Sequence, residues 1–108
     1  MPWLERTELL IGSENVEKLQ NANVLVVGVG GVGAYAAEMI ARAGVGKMTL
    51  ADADIVSESN INRQLIALHS TVGREKCAVL AERLRDINPA LELTCVPRFI
   101  DESSVDSL

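Results

Sequence analysis

Apolar and polar positions alternate along this chain with two different periods, and the changes of period mark out its elements. Val24-Leu25-Val26-Val27 is too short for a helix and β-branched enough for a buried parallel strand. The Ala-rich segment from Ala34 to Ala43 has the length of a helix packed closely on a sheet, and Gly44 and Gly46 end it. Lys47 to Ala51 reads as a second strand. From Thr71 to Asn88, the residues Cys77, Leu80, Ala81, Leu84 and Ile87 recur at helical spacing. That predicts a second long helix with one apolar stripe, capped by Thr71 and closed by Pro89. In Leu91 to Pro97, Leu91, Leu93 and Cys95 alternate with Glu92, Thr94 and Val96, the period of a third strand.

Outside this alternating region the pattern is weaker. Met1 to Ile11 reads as a short helix or arm whose apolar side is Trp3, Leu4, Leu9, Leu10 and Ile11. Gly12 ends it, and Ser13 can cap a helix over residues 14–20 with Val16, Leu19 and Ala22 facing inward. At the other end, Asp101 to Leu108 reads as the capped beginning of a helix without its body. The expected organisation is an N-terminal helical arm, residues 1–22, followed by a nucleotide-binding unit, residues 23–108. Strand, helix, strand, helix, strand is the order of an α/β fold, a Rossmann-like parallel sheet with helices on both faces. Two βα units and one strand make the N-terminal half of such a sheet.

The chemistry sits at the turns. Gly28, Gly30, Gly31 and Gly33 follow the first strand in a G-x-G-x-x-G pattern with one glycine in excess. Such a turn lets backbone amides approach an anion, and the helix that follows adds its positive end. Asp52 stands at the end of the second strand, 19 positions past Gly33 (52 − 33), where this unit places a ribose-binding carboxylate. The polar stretch after it offers Asn60, Asn62, Arg63 and Gln64, donors without bulk that suit a polyphosphate. Asp54 fits either a metal or a loop cap. Lys76 lies in the first turn of the second long helix, where the dipole disfavours a cation, and a nearby phosphate would explain it. Arg6, in the arm, reads from the pattern alone as a solvated surface arginine.

Composition narrows the function classes. With 108 residues the chain is one domain at most, and 48% hydrophobic content suits a globular fold. No apolar run approaches the length of a membrane span, and the early acids argue against a signal peptide. Cys77 and Cys95 are too few and too far apart for a disulfide framework; both read as packing residues in a reducing, cytoplasmic setting. His69 has no second ligand at metal spacing and reads as structural. The net charge of −5 argues against a general nucleic-acid surface in this segment.

The chain resembles the ThiF/MoeB/HesA superfamily, the bacterial relatives of ubiquitin-activating enzymes. The matching runs are Gly28-Val29-Gly30-Gly31-Val32-Gly33, Ala43-Gly44-Val45-Gly46 and Asp52-Ala53-Asp54 with Val56. Ser59-Asn60-Ile61-Asn62-Arg63-Gln64, then Val72-Gly73 with Lys76, and Ile87-Asn88-Pro89 complete the set. The opening from Arg6 to Gly12 and the Asn62-Arg63-Gln64-Leu65 run are similar to the branch acting on threonylcarbamoyladenosine in tRNA. The resemblance implies an adenylating enzyme that uses ATP and Mg2+ to transfer AMP to a carboxylate. That carboxylate is the threonyl group of the modified tRNA, which then cyclises, or the C-terminus of a ubiquitin-like sulfur-carrier protein. It implies further that the glycine turn takes the nucleotide, that Asp52 takes the ribose, and that Asn60, Arg63 and Lys76 take the phosphates. Arg6 resembles an arginine that reaches the ATP of the neighbouring subunit in a homodimer. The magnesium-binding aspartate of the family, and the cysteine of some branches, match positions past Leu108. Two readings from other classes remain. An NAD-dependent oxidoreductase would share the glycines and Asp52 but has no need of Arg63 and Lys76, and a nucleotide-sensing module would bind ATP without chemistry.

Overall fold

The computed structural model describes all residues from Met1 to Leu108. The arm holds α1 (Glu5–Ile11) and α2 (Ser13–Gln20), preceded by a 3-10 turn at Pro2–Leu4. β1 (Asn23–Val27), α3 (Gly31–Arg42), β2 (Lys47–Ala51), α4 (Lys76–Ile87) and β3 (Glu92–Val96) then form two consecutive βαβ units. The strands lie in the order β1-β2-β3, all parallel, with Val26 opposite Leu50 and Leu50 opposite Cys95. This is the α/β sheet that the alternating pattern predicts.

Two right-handed crossovers that step in the same direction put their helices on the same side of a sheet. α3 and α4 therefore share one face, and the core forms between them and the strands. Val26, Met48 and Leu50 meet Ala34, Ala37 and Ala41 of α3 and Cys77, Leu80, Ala81 and Leu84 of α4. Small residues on α3 let it lie close to β1. The opposite face is open at β1, where Leu25 and Val27 are 39% and 54% exposed. The apolar run of β1 is thus covered on one side only, because no helix of residues 1–108 packs on its other side.

Three boundaries differ from the pattern. α4 begins at Lys76, five residues after Thr71. Thr71 closes its own turn instead, its Oγ1 donating to the Ile66 carbonyl at 2.7 Å and accepting from the Leu68 amide at 2.9 Å. Gly73, at φ 89°, then breaks the chain direction. α2 includes Ser13, and Gly12 holds the cap position at φ 88° without a side-chain bond. After Asp101 there is a single 3-10 turn, Val105–Ser107, with the Asp101 carboxylate accepting from the amides of Ser103 and Ser104.

The arm docks at the amino edge of the sheet. Leu4 is buried against Gly44, and the amides of Gly46 and Lys47 donate to the carbonyls of Leu19 and Ala22. The expected apolar side of α1 stays in solvent: Leu9 and Leu10 are 87% and 85% exposed. No helix is long and apolar enough to cross a membrane.

Candidate functional site

The turn between β1 and α3 is set by backbone sterics. Gly28 takes φ 83°, and its amide donates to the Ala51 carbonyl of β2 at 2.8 Å. A Cβ on Gly33 would stand 1.7 Å from the Gly28 carbonyl oxygen, so the helix can approach the strand only through a glycine there. A Cβ on Gly31 would meet nothing within 4 Å. That residue is not needed for internal packing, and the space beside it is open. The amides of Gly30, Gly31, Val32 and Gly33 precede the first intrahelical bonds of α3 and donate to no other group of the chain. Four uncommitted donors therefore sit at the positive end of a helix, an arrangement that binds anions.

Asp52 closes the site from β2. Its Oδ2 accepts from the Val29 amide at 2.9 Å and its Oδ1 from the Asp54 amide at 2.8 Å. These two bonds tie the glycine turn to the strand end and leave lone pairs over for a hydroxyl. Asp54 in turn faces Lys76: Oδ2 lies 3.7 Å from Nζ, and the Asp54 carbonyl accepts from the Lys76 amide. The Lys76 side chain is only 7% exposed. Asp52, Asp54 and Lys76 thus lie together at one edge with the glycines.

The polar stretch after β2 divides. Asn60 is buried, and its Oδ1 accepts from the Ser57 amide at 2.9 Å, so this oxygen caps the Glu58–Asn60 turn and is not free for a ligand. Its Nδ2 donates to nothing in the chain. Arg63 is exposed, with Nη1 donating to the Ser59 carbonyl and to Asn62 Oδ1. It has no carboxylate partner. Gln64 lies over the glycine turn, its Nε2 3.1 Å from where a Gly30 Cβ would be, and its buried Oε1 lacks a donor.

Beside Asp52 a cleft of about 230 Å³ runs between Val27, Gly28 and Ala51 on one side and Arg98, Phe99 and Ile100 on the other. Its walls are largely apolar, with the two aspartates at its rim. Sequence reasoning missed Arg98, Phe99 and Ile100. The signal was present: ligands gather at the carboxyl ends of parallel strands, and these residues follow β3 as the polar stretch follows β2.

Arg6 is not brought to this site. α1 packs mainly on α2 and the preceding turn, and Leu4 rests on Gly44 at the carboxyl end of α3. The helix of 12 residues between that end and the glycine turn is roughly 18 Å long. Cys77 is fully buried at the base of α4, and burial pushes its thiol up to about 11, with further contributions from Cys95 and Asp52. It is a packing residue, as is Cys95 against the same core. His69 is exposed and makes no side-chain bond.

Residues 4–108 match the ThiF family. This chain belongs to the ThiF family. It is 48% identical over 101 residues to the tRNA threonylcarbamoyladenosine dehydratase of Bacillus subtilis, covering 94% of this chain and 40% of that protein. The molybdopterin-synthase adenylyltransferase of Salmonella typhimurium is 43% identical over 95 residues, 88% of this chain and 38% of that protein. Among solved structures, the Escherichia coli tRNA N6-threonylcarbamoyladenosine dehydratase in complex with ATP superposes with a TM-score of 0.94 at 42% identity. That match covers 98% of this chain and 44% of the other. The chain therefore spans about two fifths of the length of the relatives it matches.

Proposed function

We propose that residues 1–108 form the nucleotide-binding part of an enzyme that activates a carboxylate by transferring AMP to it from ATP, releasing pyrophosphate. The observation that carries this reading is the row of uncommitted amides from Gly30 to Gly33, beside a buried Lys76 and an Arg63 without a carboxylate partner. An NAD site needs the glycines and Asp52 but not two cations at the phosphates. In an adenylation the departing pyrophosphate gains charge, and fixed positive groups aimed at it lower the barrier. Lys76 and Arg63 supply that charge, the glycine amides orient the phosphates, and Asp52 accepts from a ribose hydroxyl with its remaining lone pairs. The apolar wall of Phe99 and Ile100 suits the base. Magnesium would neutralise phosphate charge; no three acidic, His or Cys side chains of residues 1–108 gather to hold it by themselves.

The proposed carboxylate is that of threonylcarbamoyladenosine in tRNA, after the relatives of that name at 48% and 43% identity. The second reading, the C-terminus of a sulfur-carrier protein, rests on the adenylyltransferases at 43% and 40%. Incubating the intact protein with ATP and labelled pyrophosphate, and adding either modified tRNA or a sulfur carrier, separates them. Exchange that depends on the tRNA supports the first reading; exchange that depends on the carrier replaces it.

Arg6 completes the proposal from a second copy. Its arm sits at the wrong edge for its own site and exposes Leu9 and Leu10, which a homodimer would cover. Arg6→Ala is expected to lower the adenylation rate more than ATP affinity. Mixed dimers of Arg6→Ala and Lys76→Ala subunits carry both defects in one site and neither in the other, so about half the activity per heterodimer returns. No recovery after confirmed exchange places Arg6 outside the partner's site.

A further inference from the structure

We infer that Asp54 is the resting counterion of Lys76: it holds the ammonium while the phosphate site is empty, yields it to the nucleotide, and reclaims it as pyrophosphate leaves. The inference rests on the adenylation reading above and assigns Asp54 a positioning role within it. Lys76 is held and Asp54 is loose. The Lys76 side chain is 7% exposed, and the one carboxylate within 4.0 Å of its Nζ is that of Asp54, at 3.7 Å. A buried ammonium requires a nearby negative charge. Yet 3.7 Å is too long for a hydrogen bond, and Nζ donates none within the chain, so its donors remain uncommitted.

The backbone fixes where this ammonium stands relative to the glycine turn. The Lys76 amide donates to the Asp54 carbonyl at 3.1 Å, the Asp54 amide to Asp52 Oδ1 at 2.8 Å, and Asp52 Oδ2 accepts from the Val29 amide at 2.9 Å. None of these bonds involves the Asp54 carboxylate. That group is 57% exposed and accepts no hydrogen bond, so it can turn into water without breaking anything but the ion pair. The pair of Glu38 with Arg83 and Arg42 is built the other way round. There the carboxylate is 9% exposed and each oxygen has a guanidinium, which makes a fixed joint between α3 and α4. A held lysine beside a free aspartate is instead a contact made to be exchanged.

An arriving phosphate must then displace Asp54, and a departing one is helped by its return. Removing the acid's charge should make the site hold anions too well. Calorimetry on the intact protein with inorganic pyrophosphate tests this. Asp54→Asn is expected to bind pyrophosphate about threefold to tenfold more tightly than the unaltered protein. In turnover it should lower kcat while KM for ATP stays level or falls. In a Lys76→Met background, Asp54→Asn should change pyrophosphate affinity little, since the coupling runs through the ammonium. Asp54→Ser, which removes the charge but keeps a small polar group, should reproduce the tightening. Equal or weaker pyrophosphate binding by folded Asp54→Asn overturns the inference, and so does the same tightening without Lys76. Loss of fold in both variants assigns the acid to the scaffold and overturns it as well. Failure of the adenylation reading looks different: the unaltered protein itself would bind neither ATP nor pyrophosphate.

Discussion

The two ends of α3 are built on the same steric demand and end up with opposite chemistry. At the amino end a Cβ on Gly33 would stand 1.7 Å from the Gly28 carbonyl oxygen; past the carboxyl end a Cβ on Gly46 would stand 1.8 Å from that of Gln20. Both places force backbone against backbone. At the carboxyl end most nearby polar groups then find a partner, although the buried Asn88 Oδ1 has none. Asn88 Nδ2 donates to the carbonyls of Ala41 and Val45, Gly46 donates to Leu19, and the Glu92 amide donates to Gly46. At the amino end four amides donate to nothing in the chain. An obligatory glycine therefore does not mark a site. A row of unused donors beside it does.

The largest effects should be equal at the two ends. Gly33→Ala and Gly46→Ala each push a methyl into a carbonyl, and overpacking of that kind costs about 3 kcal/mol or more. Urea denaturation of the intact protein should show a large loss of stability in both. If Gly46→Ala is tolerated while Gly33→Ala is not, the two ends are not steric equivalents and the comparison fails at its base.

Much of this was legible in the sequence, because the residues concerned act through the backbone or through spacing. The glycines, the stripe of Cys77, Leu80, Ala81 and Leu84, and the acid at the end of β2 each announce a role by position alone. Three features were harder to read. Thr71 has the look of a helix cap, but its hydroxyl is used by Ile66 and Leu68, so α4 starts later. Asn60 has the look of a ligand donor, and its side chain is divided: the oxygen serves the Ser57 amide while Nδ2 donates to nothing in the chain. In both cases a nearby backbone group competes for the side chain, and sequence does not say which wins. Phe99 and Ile100 escaped because an irregular segment has no period to reveal that it folds over Asp52.

The next effects should appear only at the amino end. Lys76→Ala removes a charged contact to the phosphates, worth roughly 1.5–3 kcal/mol, so ATP affinity should fall about tenfold or more. Calorimetric titration of ATP into the intact variant measures it directly. Unchanged affinity would take Lys76 out of the site and leave the four amides and Arg63 as its anion-binding features.

Gly31 separates packing from binding more finely. A methyl there meets nothing within 4 Å, and alanine favours the helix by up to about 1 kcal/mol, so Gly31→Ala should keep or slightly raise the melting temperature. The same methyl stands among the free amides and should weaken ATP binding. Stability and affinity would then move in opposite directions, which no substitution at the carboxyl end of α3 should achieve. An affinity equal to that of the parent would mean that the phosphates lie elsewhere.

The smallest effect concerns the middle of α3, where Glu38 belongs to the scaffold by the same criterion: each of its oxygens has a partner, Arg83 on one and Arg42 on the other. The hydrogen bond from Arg83 holds the carboxyl below its ordinary range against the opposing effect of burial, and the charges of Arg83 and Arg42 add to it. A carboxyl whose folded pKa lies below its unfolded value stabilises the fold above the unfolded value, near 4.5. That contribution fades as pH falls through the lowered value, where the folded carboxylate finally takes a proton. Glu38→Gln should therefore melt below the parent at neutral pH, and the gap should close as pH falls through the lowered value. Affinity for ATP at neutral pH should be the same in both, since Glu38 has no capacity left to offer a ligand. A gap that persists undiminished into acid would show that Glu38 stabilises through packing rather than charge, and the joint between α3 and α4 would then be apolar in all but appearance.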